Sequence, residues 1–259
     1  MRIVDLTQRL SIMTPPWPSY EPLSVKFFKR LMPNGASGQI ITTSNHVGTH
    51  MDGQIHFCTH GKTIGQQDIN DFVGPGVVVD ISDMVEDYDI YTSELLMSKA
   101  DIRKGDILII NTGYHKYAWD QPEADEIRYM VKHPGPTKEF ASWCKEMQFK
   151  WIGVDCGSAD HPMNTILRKW SEDLYGLATK CSQHMQKKYG KTLEEIFPQD
   201  DYQLMHFDLF PEGIIHAECI GGDIDQLSNQ RTYIGAFPWR AIELESCICR
   251  IVAFPDIKE

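Results

Sequence analysis

The sequence predicts an α/β fold, and three observations support this prediction. The 259 residues are 42% hydrophobic and 24% charged, which provides enough apolar area for a sizeable globular core. Several short runs are continuous and apolar, as strands buried on both faces are. Between these runs lie segments whose apolar residues recur at helical spacing and whose ends carry capping residues. Strands that alternate with helices in this way are typical of an α/β domain.

The predicted strands are distributed along most of the chain. They cover residues 76–81, 106–110, 151–155, 214–220 and 248–254. Cys247 and Cys249 lie two residues apart near the start of the last run, so a strand would place both on one face. We expect these two thiols to be apolar core residues rather than metal or redox ligands.

Three helices are indicated by their caps and apolar stripes. The first begins after Thr137, an N-capping residue, and its buried face comprises Phe140, Cys144 and Met147. The second ends at Gly190, and its stripe comprises Leu174, Leu177, Ala178, Cys181 and Met185. Thr192 and Glu195 have the spacing of a capping box and predict the start of a third.

Composition and charge limit the classes of partner. The chain has 36 acidic and 25 basic residues, a net charge of −11, which disfavours nucleic acid as a ligand. No apolar run approaches about 18 residues, so we expect no membrane span. The seven cysteines include no CxxC pair and the N-terminus does not resemble a signal peptide, which predicts reduced thiols in a cytoplasmic protein. Without a repeat or linker, we expect a single domain over residues 1–259.

One segment, Ser44–Phe57, concentrates polar side chains in the pattern HxxxHxDxxxH. The pattern comprises His46, His50, Asp52 and His56. In one extended strand His46 and His56 would be about 33 Å apart, too far to share a metal ion. A single helix would place His46 and His50 on one face, with Asp52 and His56 well round the cylinder. We therefore expect the chain to bend between them, at Gly48 and Gly53.

Mixed imidazole and carboxylate donors suit Zn²⁺, Mn²⁺ or Fe²⁺ better than Ca²⁺ or a thiolate-seeking metal. The alternative is four unrelated polar side chains at the surface. Because histidine is a rare residue, its concentration in this segment favours a metal site.

A second segment, His206–Gly222, contains the predicted strand 214–220. That strand would place His216 and Glu218 on the same face. A buried glutamate is rare unless it is paired or ligates a metal. The sequence leaves open a pairing of this glutamate with Arg231, Arg240 or Arg250.

These residues give the chain its resemblance to the cyclase-like metal-dependent hydrolases. The pattern of that family, HxGTHxDxPxHF, is similar to residues 46–57 of this chain. Trp17–Pro18 lies where family members carry a substrate-contacting Trp-Pro, and His206 and Glu218 keep the family's twelve-residue offset. The resemblance runs nearly from end to end.

The resemblance implies a swivelling β/α/β domain with a mixed sheet, usually assembled as a homodimer or homotetramer. It implies that His46, His50 and Asp52 hold one metal ion, and that Asp52 bridges to a second ion. The remaining ligands of that second ion would be His206 and Glu218. We expect one or two Mn²⁺ or Zn²⁺ ions per subunit. By the same resemblance, His56 is the acid/base.

Two departures from the family pattern are present. Gln54 replaces the proline of the pattern, and the segment of about residues 164–205 is longer and more helical. We expect Trp17 and Gln54 to contact a small planar substrate. Ser158, Asp160 and His216 are expected to support the ligands or orient the substrate; for Ser158 and Asp160 the alternative is plain loop structure.

The function expected from the sequence is hydrolysis of a small amide by a metal-dependent enzyme. A planar cyclic amide is expected to be preferred over N-formylkynurenine. A lactone or enol-lactone hydrolase is the alternative within the same fold. A non-catalytic metal-binding protein is the alternative from another class, although it would not require His56.

Overall fold

The computed structural model of the protein describes residues 1–257. Its strands are β1 (Val4–Asp5), β2 (Ser24–Lys29), β3 (Gly38–Thr42), β4 (His50–Asp52), β5 (Val73–Asp80), β6 (Ile90–Tyr91), β7 (Ile107–Asn111), β8 (Gly135–Pro136), β9 (Trp151–Val154), β10 (Ile215–Glu218), β11 (Gln230–Phe237), β12 (Ser246–Ile248) and β13 (Arg250–Phe254). Its helices are α1 (Leu31–Asn34), α2 (Ser93–Lys99), α3 (Glu126–Val131), α4 (Lys138–Met147), α5 (Leu167–Tyr175), α6 (Leu177–Tyr189), α7 (Leu193–Ile196) and α8 (Leu204–Phe207).

Nine of the strands form one mixed sheet in the order β1-β13-β11-β5-β7-β9-β10-β4-β12. The four central strands β5, β7, β9 and β10 are parallel, and the strands on both sides of them pair antiparallel. This arrangement confirms the predicted α/β class with a mixed sheet. It also places β4, which carries two residues of the histidine-rich motif, directly beside β10, which carries Glu218.

The two faces of the sheet are covered in different ways. On one face Val77, Leu108 and Ile152 pack against helical residues such as Leu96 and Phe140. The other face is filled mainly by side chains from the strands of the sheet itself, so the sheet curls around its own core. The nearly continuous apolar runs follow from this double burial, because neither face of the central strands meets water.

Each of the five predicted strand runs overlaps an observed strand, but the last run is divided. Ile248 ends β12 and Arg250 begins β13. Cys247 and Cys249 are both buried in the curled core, in agreement with the prediction that they are apolar core residues. They do not share one strand, because Cys249 lies between the two.

The helix predictions hold except at two residues. Thr137 precedes α4, but its side chain makes no capping hydrogen bond, whereas Thr192 forms a capping box with Glu195. Leu174 was predicted in the stripe of the second helix, but it belongs to α5 and is 72% exposed. Gly176 separates α5 from α6, so the helical spacing is interrupted there. No helix within residues 1–257 has the length and apolarity needed to cross a membrane.

The segment 164–205 has a small apolar core of its own. Leu177, Cys181 and Met185 of α6 pack there with Tyr88, which precedes β6. Polar contacts add to this packing, since Asp89 accepts hydrogen bonds from Lys188 Nζ at 2.6 Å and from His184 Nε2 at 2.7 Å. The segment is therefore joined to the loop before β6 by both apolar and charged contacts.

Candidate metal centre

The histidine-rich motif bends sharply between its polar residues, as predicted. Gly48 has φ +64°, a left-handed conformation that favours glycine. Gly53 has an ordinary φ of −94°, but a Cβ atom there would lie 2.6 Å from the backbone oxygen of Glu245. The first glycine therefore supplies a turn, and the second allows β4 to approach β12 closely.

Three of the motif's donor atoms form a compact triangle. The Nδ1 atom of His46 lies 3.1 Å from Nε2 of His50 and 3.1 Å from Oδ1 of Asp52. The third side, from His50 Nε2 to Asp52 Oδ1, measures 3.4 Å. Donors bonded to one ion at about 2.1 Å are separated by roughly 3.0–3.4 Å in tetrahedral or octahedral geometry. The triangle has the size that one ion requires.

In each of the two imidazoles, the nitrogen outside the triangle has a hydrogen-bond partner, and this determines the protonation state of the nitrogen that faces the triangle. His50 Nδ1 donates to the backbone oxygen of Gly48 at 2.8 Å, and His46 Nε2 lies 3.2 Å from the carboxylate of Glu245. These bonds leave the unprotonated nitrogen of each neutral ring pointing into the triangle. The lone pairs of these two nitrogens therefore point toward the Asp52 carboxylate. This carboxylate is 1% exposed, and its two oxygens make no hydrogen bond within the described chain. A cation satisfies this donor set, so the residues fit a divalent metal.

A distal group of donors adjoins the same aspartate. His206 Nε2 lies 3.6 Å from Asp52 Oδ2 and 3.7 Å from Glu218 Oε1. Asp160 Oδ2 accepts a hydrogen bond from His206 Nδ1 at 2.6 Å and so directs Nε2 toward the group. His216 belongs to it as well, since one donor atom from each of the four residues lies within 4.8 Å of the others.

None of the three arginines considered for Glu218 serves as its partner. Arg231 pairs with Asp106, Arg250 pairs with Asp5, and Arg240 lies at the surface. Glu218 Oε1 instead accepts a hydrogen bond from the backbone nitrogen of Ala159 at 2.7 Å. Its burial is therefore explained by the polar cluster rather than by an ion pair with arginine.

The electrostatics of the cluster favour bound cations. Burial opposes the charged form of His46, but Asp52 and Glu245 outweigh burial and raise the pKa of His46 to about 10. Burial likewise opposes charge on His206, while Asp160, Asp52 and Glu218 raise its pKa to about 10. Burial and the charge of Asp52 raise the pKa of Glu218. The buried carboxylates thus attract positive charge, which protons and metal ions compete to supply.

His56 lies beside the triangle and is tied to Glu245. Its Nδ1 donates to Glu245 Oε2 at 2.9 Å, and its ring centroid is 4.4 Å from that of His46. This bond leaves Nε2 of His56 as the nitrogen that can accept a proton. Donor atoms of His46, Asp52 and His56 also lie within 4.8 Å of one another, so geometry permits His56 to be a ligand as well.

Glu245 is a residue of the site that no pattern in the sequence predicts. Its carboxylate accepts hydrogen bonds from Asn45 Nδ2 and Ser246 Oγ in addition to its two histidine contacts. Glu245 lies far from the motif in the sequence and belongs to none of the patterns described above. It reaches the site because β12, which begins at the next residue, pairs with β4 so that Ser246 lies opposite Asp52.

A small cavity of about 40 Å³ adjoins the polar cluster. Its walls include four of the predicted metal ligands and His56, together with Trp17, Tyr20, Phe57, Ser158 and Gln203. Trp17 therefore lies where the sequence predicted a substrate contact, and its backbone nitrogen donates to the oxygen of His46 at 2.9 Å. Tyr20, three residues farther along the same loop, was missed although its proximity to Trp17 was a signal.

Gln203 was also missed, and its backbone is unusual. It has φ +46° and ψ +52°, a left-handed conformation that a residue with a Cβ atom seldom adopts. It immediately precedes α8, the short helix that carries His206. Strained backbone of this kind is concentrated at functional sites.

The structure corrects the expectation for Gln54, which does not line this cavity. Its Nε2 donates to the backbone oxygen of Phe210 at 2.9 Å, and its Oε1 accepts from the backbone nitrogen of Lys62 at 3.2 Å. In the 3₁₀ turn Gln54–His56 this amide therefore points away from the cavity and links the segments that contain Phe210 and Lys62. Of the supporting residues, Ser158 lines the cavity and its Oγ accepts from the backbone nitrogen of Asp160 at 3.2 Å.

Comparison with known proteins identifies related sequences. The Cyclase family model matches residues 4–161. Kynurenine formamidase from Geobacillus thermodenitrificans is 28% identical over 205 residues, which are 78% of this chain and 87% of that relative. Kynurenine formamidase from Bacillus cereus is 29% identical over 159 residues, or 61% of this chain and 69% of the relative.

Solved structures share the fold. Isatin hydrolase A from Ralstonia solanacearum superposes with a TM-score of 0.75 and 21% identity, covering 97% of this chain and 91% of that one. Isatin hydrolase A from Labrenzia aggregata gives a TM-score of 0.73 and 21% identity, covering 97% and 93% of the two chains. At these identities the likeness concerns the fold alone, and it agrees with the curled mixed sheet described above.

Proposed function

The chain belongs to the Cyclase family, and from this premise we propose that it is a metal-dependent hydrolase of a small, non-peptide amide. One observation carries the proposal: the buried donors of His46, His50 and Asp52 converge within 3.1–3.4 Å, and the Asp52 carboxylate makes no hydrogen bond within residues 1–257. The curated relatives at 28–29% identity are kynurenine formamidases, which supports an amide or formamide as the substrate class.

Two groups of residues would hold Mn²⁺ or Zn²⁺. The triangle of His46, His50 and Asp52 would hold one ion, and the distal group with His206 and Glu218 would hold a second, with Asp52 shared. A divalent ion supplies Lewis-acid polarisation of a carbonyl and lowers the pKa of water toward neutrality. Asp160 holds the imidazole of His206 in the tautomer that presents Nε2.

His56 would accept and deliver the proton. Hydrolysis of an amide requires that a proton leave the attacking water and that a proton reach the departing nitrogen. The Nε2 atom of His56 is available for both transfers, because Glu245 holds Nδ1–H. The same bond stabilises the imidazolium formed between the two transfers, and it keeps the ring at the edge of the cavity.

Two alternatives remain distinct from this proposal. A lactone could be hydrolysed by the same residues, and it would need less help from His56 because an alkoxide leaves more readily than an amide nitrogen. A non-catalytic metal-binding protein would need the triangle alone. The position of His56 and Trp17 at one cavity favours an enzyme over that second alternative.

The experiment that tests the proposal compares substrates under one metal condition. We expect a planar cyclic amide such as isatin to have the higher kcat/KM, because Trp17 and Tyr20 offer aromatic faces at the cavity. Gln54 no longer supports this preference. The kcat/KM of metal-loaded protein should be measured for isatin, N-formylkynurenine and an unsaturated lactone. A preference for N-formylkynurenine above about 100-fold, or about 2.7 kcal/mol, would contradict it.

Trp17→Ala provides the matched variant for that comparison. It should raise KM for isatin about 3- to 10-fold and change kcat little, since an aromatic contact contributes about 0.5–1.5 kcal/mol. Trp239→Ala is the control, because Trp239 is 73% exposed and lies outside the cavity. An equal effect of the two substitutions would argue against a substrate contact at Trp17. If none of the three substrates is turned over with Mn²⁺ or Zn²⁺, the proposed hydrolase activity is contradicted.

We also propose that the chain assembles as a homodimer or homotetramer. Strands β2 and β3 form a separate two-stranded sheet whose apolar side chains are exposed, and these are Val25, Phe27, Phe28, Ile40 and Ile41. An isolated hairpin is only marginally stable in water, and an apolar patch of this kind indicates a covered surface. A second copy of the chain is the proposed cover.

Light scattering after size exclusion should therefore give at least twice the monomer mass. The double substitution Phe28→Glu and Ile41→Glu should shift the protein toward monomer, because it places charge in the proposed contact. Leu174→Glu is the control, since Leu174 is exposed on α5, away from the hairpin. A monomeric parent protein at micromolar concentration would refute the assembly.

A further inference from the structure

We propose that His216 is a protein ligand of the distal metal site, which it completes as a set of four donors. The other three are Asp52, His206 and Glu218. This inference rests on the metal dependence proposed above, and it adds a fourth protein donor to the distal site. Of the four distal donors, His216 is the one that does not line the cavity.

The first argument is the burial of His216 without a hydrogen bond. Its side chain is fully buried, and within the described chain neither ring nitrogen has a hydrogen-bond partner of full geometry. Burial lowers the pKa of the ring, and a backbone contact with Met205 only partly offsets this. A buried polar group left without a hydrogen bond destabilises the folded protein. An interaction with a bound ion would offset that destabilisation.

Another buried histidine in the same protein shows the ordinary arrangement. His161 accepts a hydrogen bond from the backbone nitrogen of Met163 at 3.1 Å, and its other nitrogen donates to the oxygen of Tyr88 at 3.2 Å. His161 thus uses both nitrogens within the protein. His216 is equally buried and uses neither, which sets it apart as a ligand.

The second argument is position. His216 and Glu218 are two residues apart on β10, so both side chains project from one face of the strand. The ring of His216 meets that of His206 edge-on, with 5.0 Å between centroids, and packs on Phe210 at 4.7 Å. Donor atoms of all four residues lie within 4.8 Å of one another.

The third argument is the difference between the two donor sets. His216 does not line the cavity, although the other three distal donors, Asp52, His206 and Glu218, do. Four protein ligands are typical of closed structural sites, and three protein ligands with an open position are typical of catalytic ones. With His216 the distal group offers four protein donors, whereas the triangle offers three.

The test measures metal binding rather than turnover. Metal-free protein is titrated with Zn²⁺ in competition with a chromophoric chelator, and bound zinc is counted by elemental analysis. We expect two ions per chain in the parent protein. His216→Gln should retain one of them and weaken the other at least about 100-fold, because an amide is a poor ligand for zinc.

His133→Gln is the matched control. His133 is also fully buried and has an unbonded ring nitrogen, but it lies outside the donor cluster. Its substitution should lower stability and leave both ions bound. Two ions with unchanged affinity in His216→Gln would overturn the proposal, as would loss of one ion in both variants.

A spectroscopic measurement on the parent protein makes the test independent of the variants' folding. The protein loaded with two Co²⁺ ions should show the intense visible absorption of a four-coordinate site, and weak absorption from both ions would overturn the proposal. One ion in the parent protein would refute the distal site while leaving hydrolysis at the triangle intact. If the parent protein binds two ions but turns over no substrate, the proposed hydrolase activity is contradicted, whereas the role of His216 as a ligand is supported.

Discussion

Asp52→Asn is expected to abolish metal-dependent turnover, with kcat/KM lower by at least about 10³-fold, or about 4 kcal/mol of transition-state stabilisation. The carboxylate has one oxygen in the His46–His50 triangle and the other facing His206. An amide in its place removes the charge that both groups share. Elemental analysis of the purified variant should therefore find both metal sites depleted.

A buried carboxylate elsewhere provides the control for Asp52. Asp106 is also buried, but it pairs with Arg231 at the start of β7 and lies outside the donor cluster. Asp106→Asn should reduce stability and retain the metal. Parent-like metal content in Asp52→Asn would remove Asp52 from the site. His50→Ala extends the test, since it should deplete chiefly the ion held by the triangle.

His56→Ala should lower kcat by about 10²-fold or more and leave the metal content close to that of the parent protein. General acid–base catalysis by a positioned side chain contributes about 10²–10⁴-fold. The substitution removes the nitrogen that accepts the proton, whereas the triangle keeps its three donors. Single-turnover rates should be measured together with metal analysis, because the two readouts separate a proton-transfer role from ligation.

Two further variants sharpen the interpretation of His56. His60→Ala is the control, because His60 is an exposed histidine four residues away. Glu245→Gln should lower kcat about 10- to 100-fold, since partners that orient an active imidazole contribute on that scale. If His56→Ala loses metal in proportion to activity, then His56 is a ligand of the triangle.

The first motif could be predicted from the sequence because its residues are close together in the chain. The segment His46–His56 comprises only eleven residues, and the glycines that allow the bend are visible among them. Glu245 could not be found in this way. Its contact with the motif depends on the register of β12 with β4, which a local pattern does not contain.

Substrate contacts and strand boundaries were also only partly predictable from local sequence patterns. Gln54 was expected at the substrate because it departs from the family pattern, but side-chain direction in a 3₁₀ turn depends on the loops it joins. Continuous apolar runs predicted the central strands well, since burial on both faces leaves a strong signal. The split between β12 and β13 left no such signal, because both strands are short and apolar.

The conformation of Gln203 has a consequence for attempts to improve this protein by selection. A left-handed backbone costs a residue with a Cβ atom about 1 kcal/mol or more, and glycine avoids that cost. Gln203→Gly would therefore be favoured in a screen for thermal tolerance. The same change would remove a side chain from the cavity wall and loosen the start of the helix that carries His206. Thermal stability and catalytic turnover therefore place opposite demands on residue 203. A library screened only for heat resistance would select the glycine variant and lose activity.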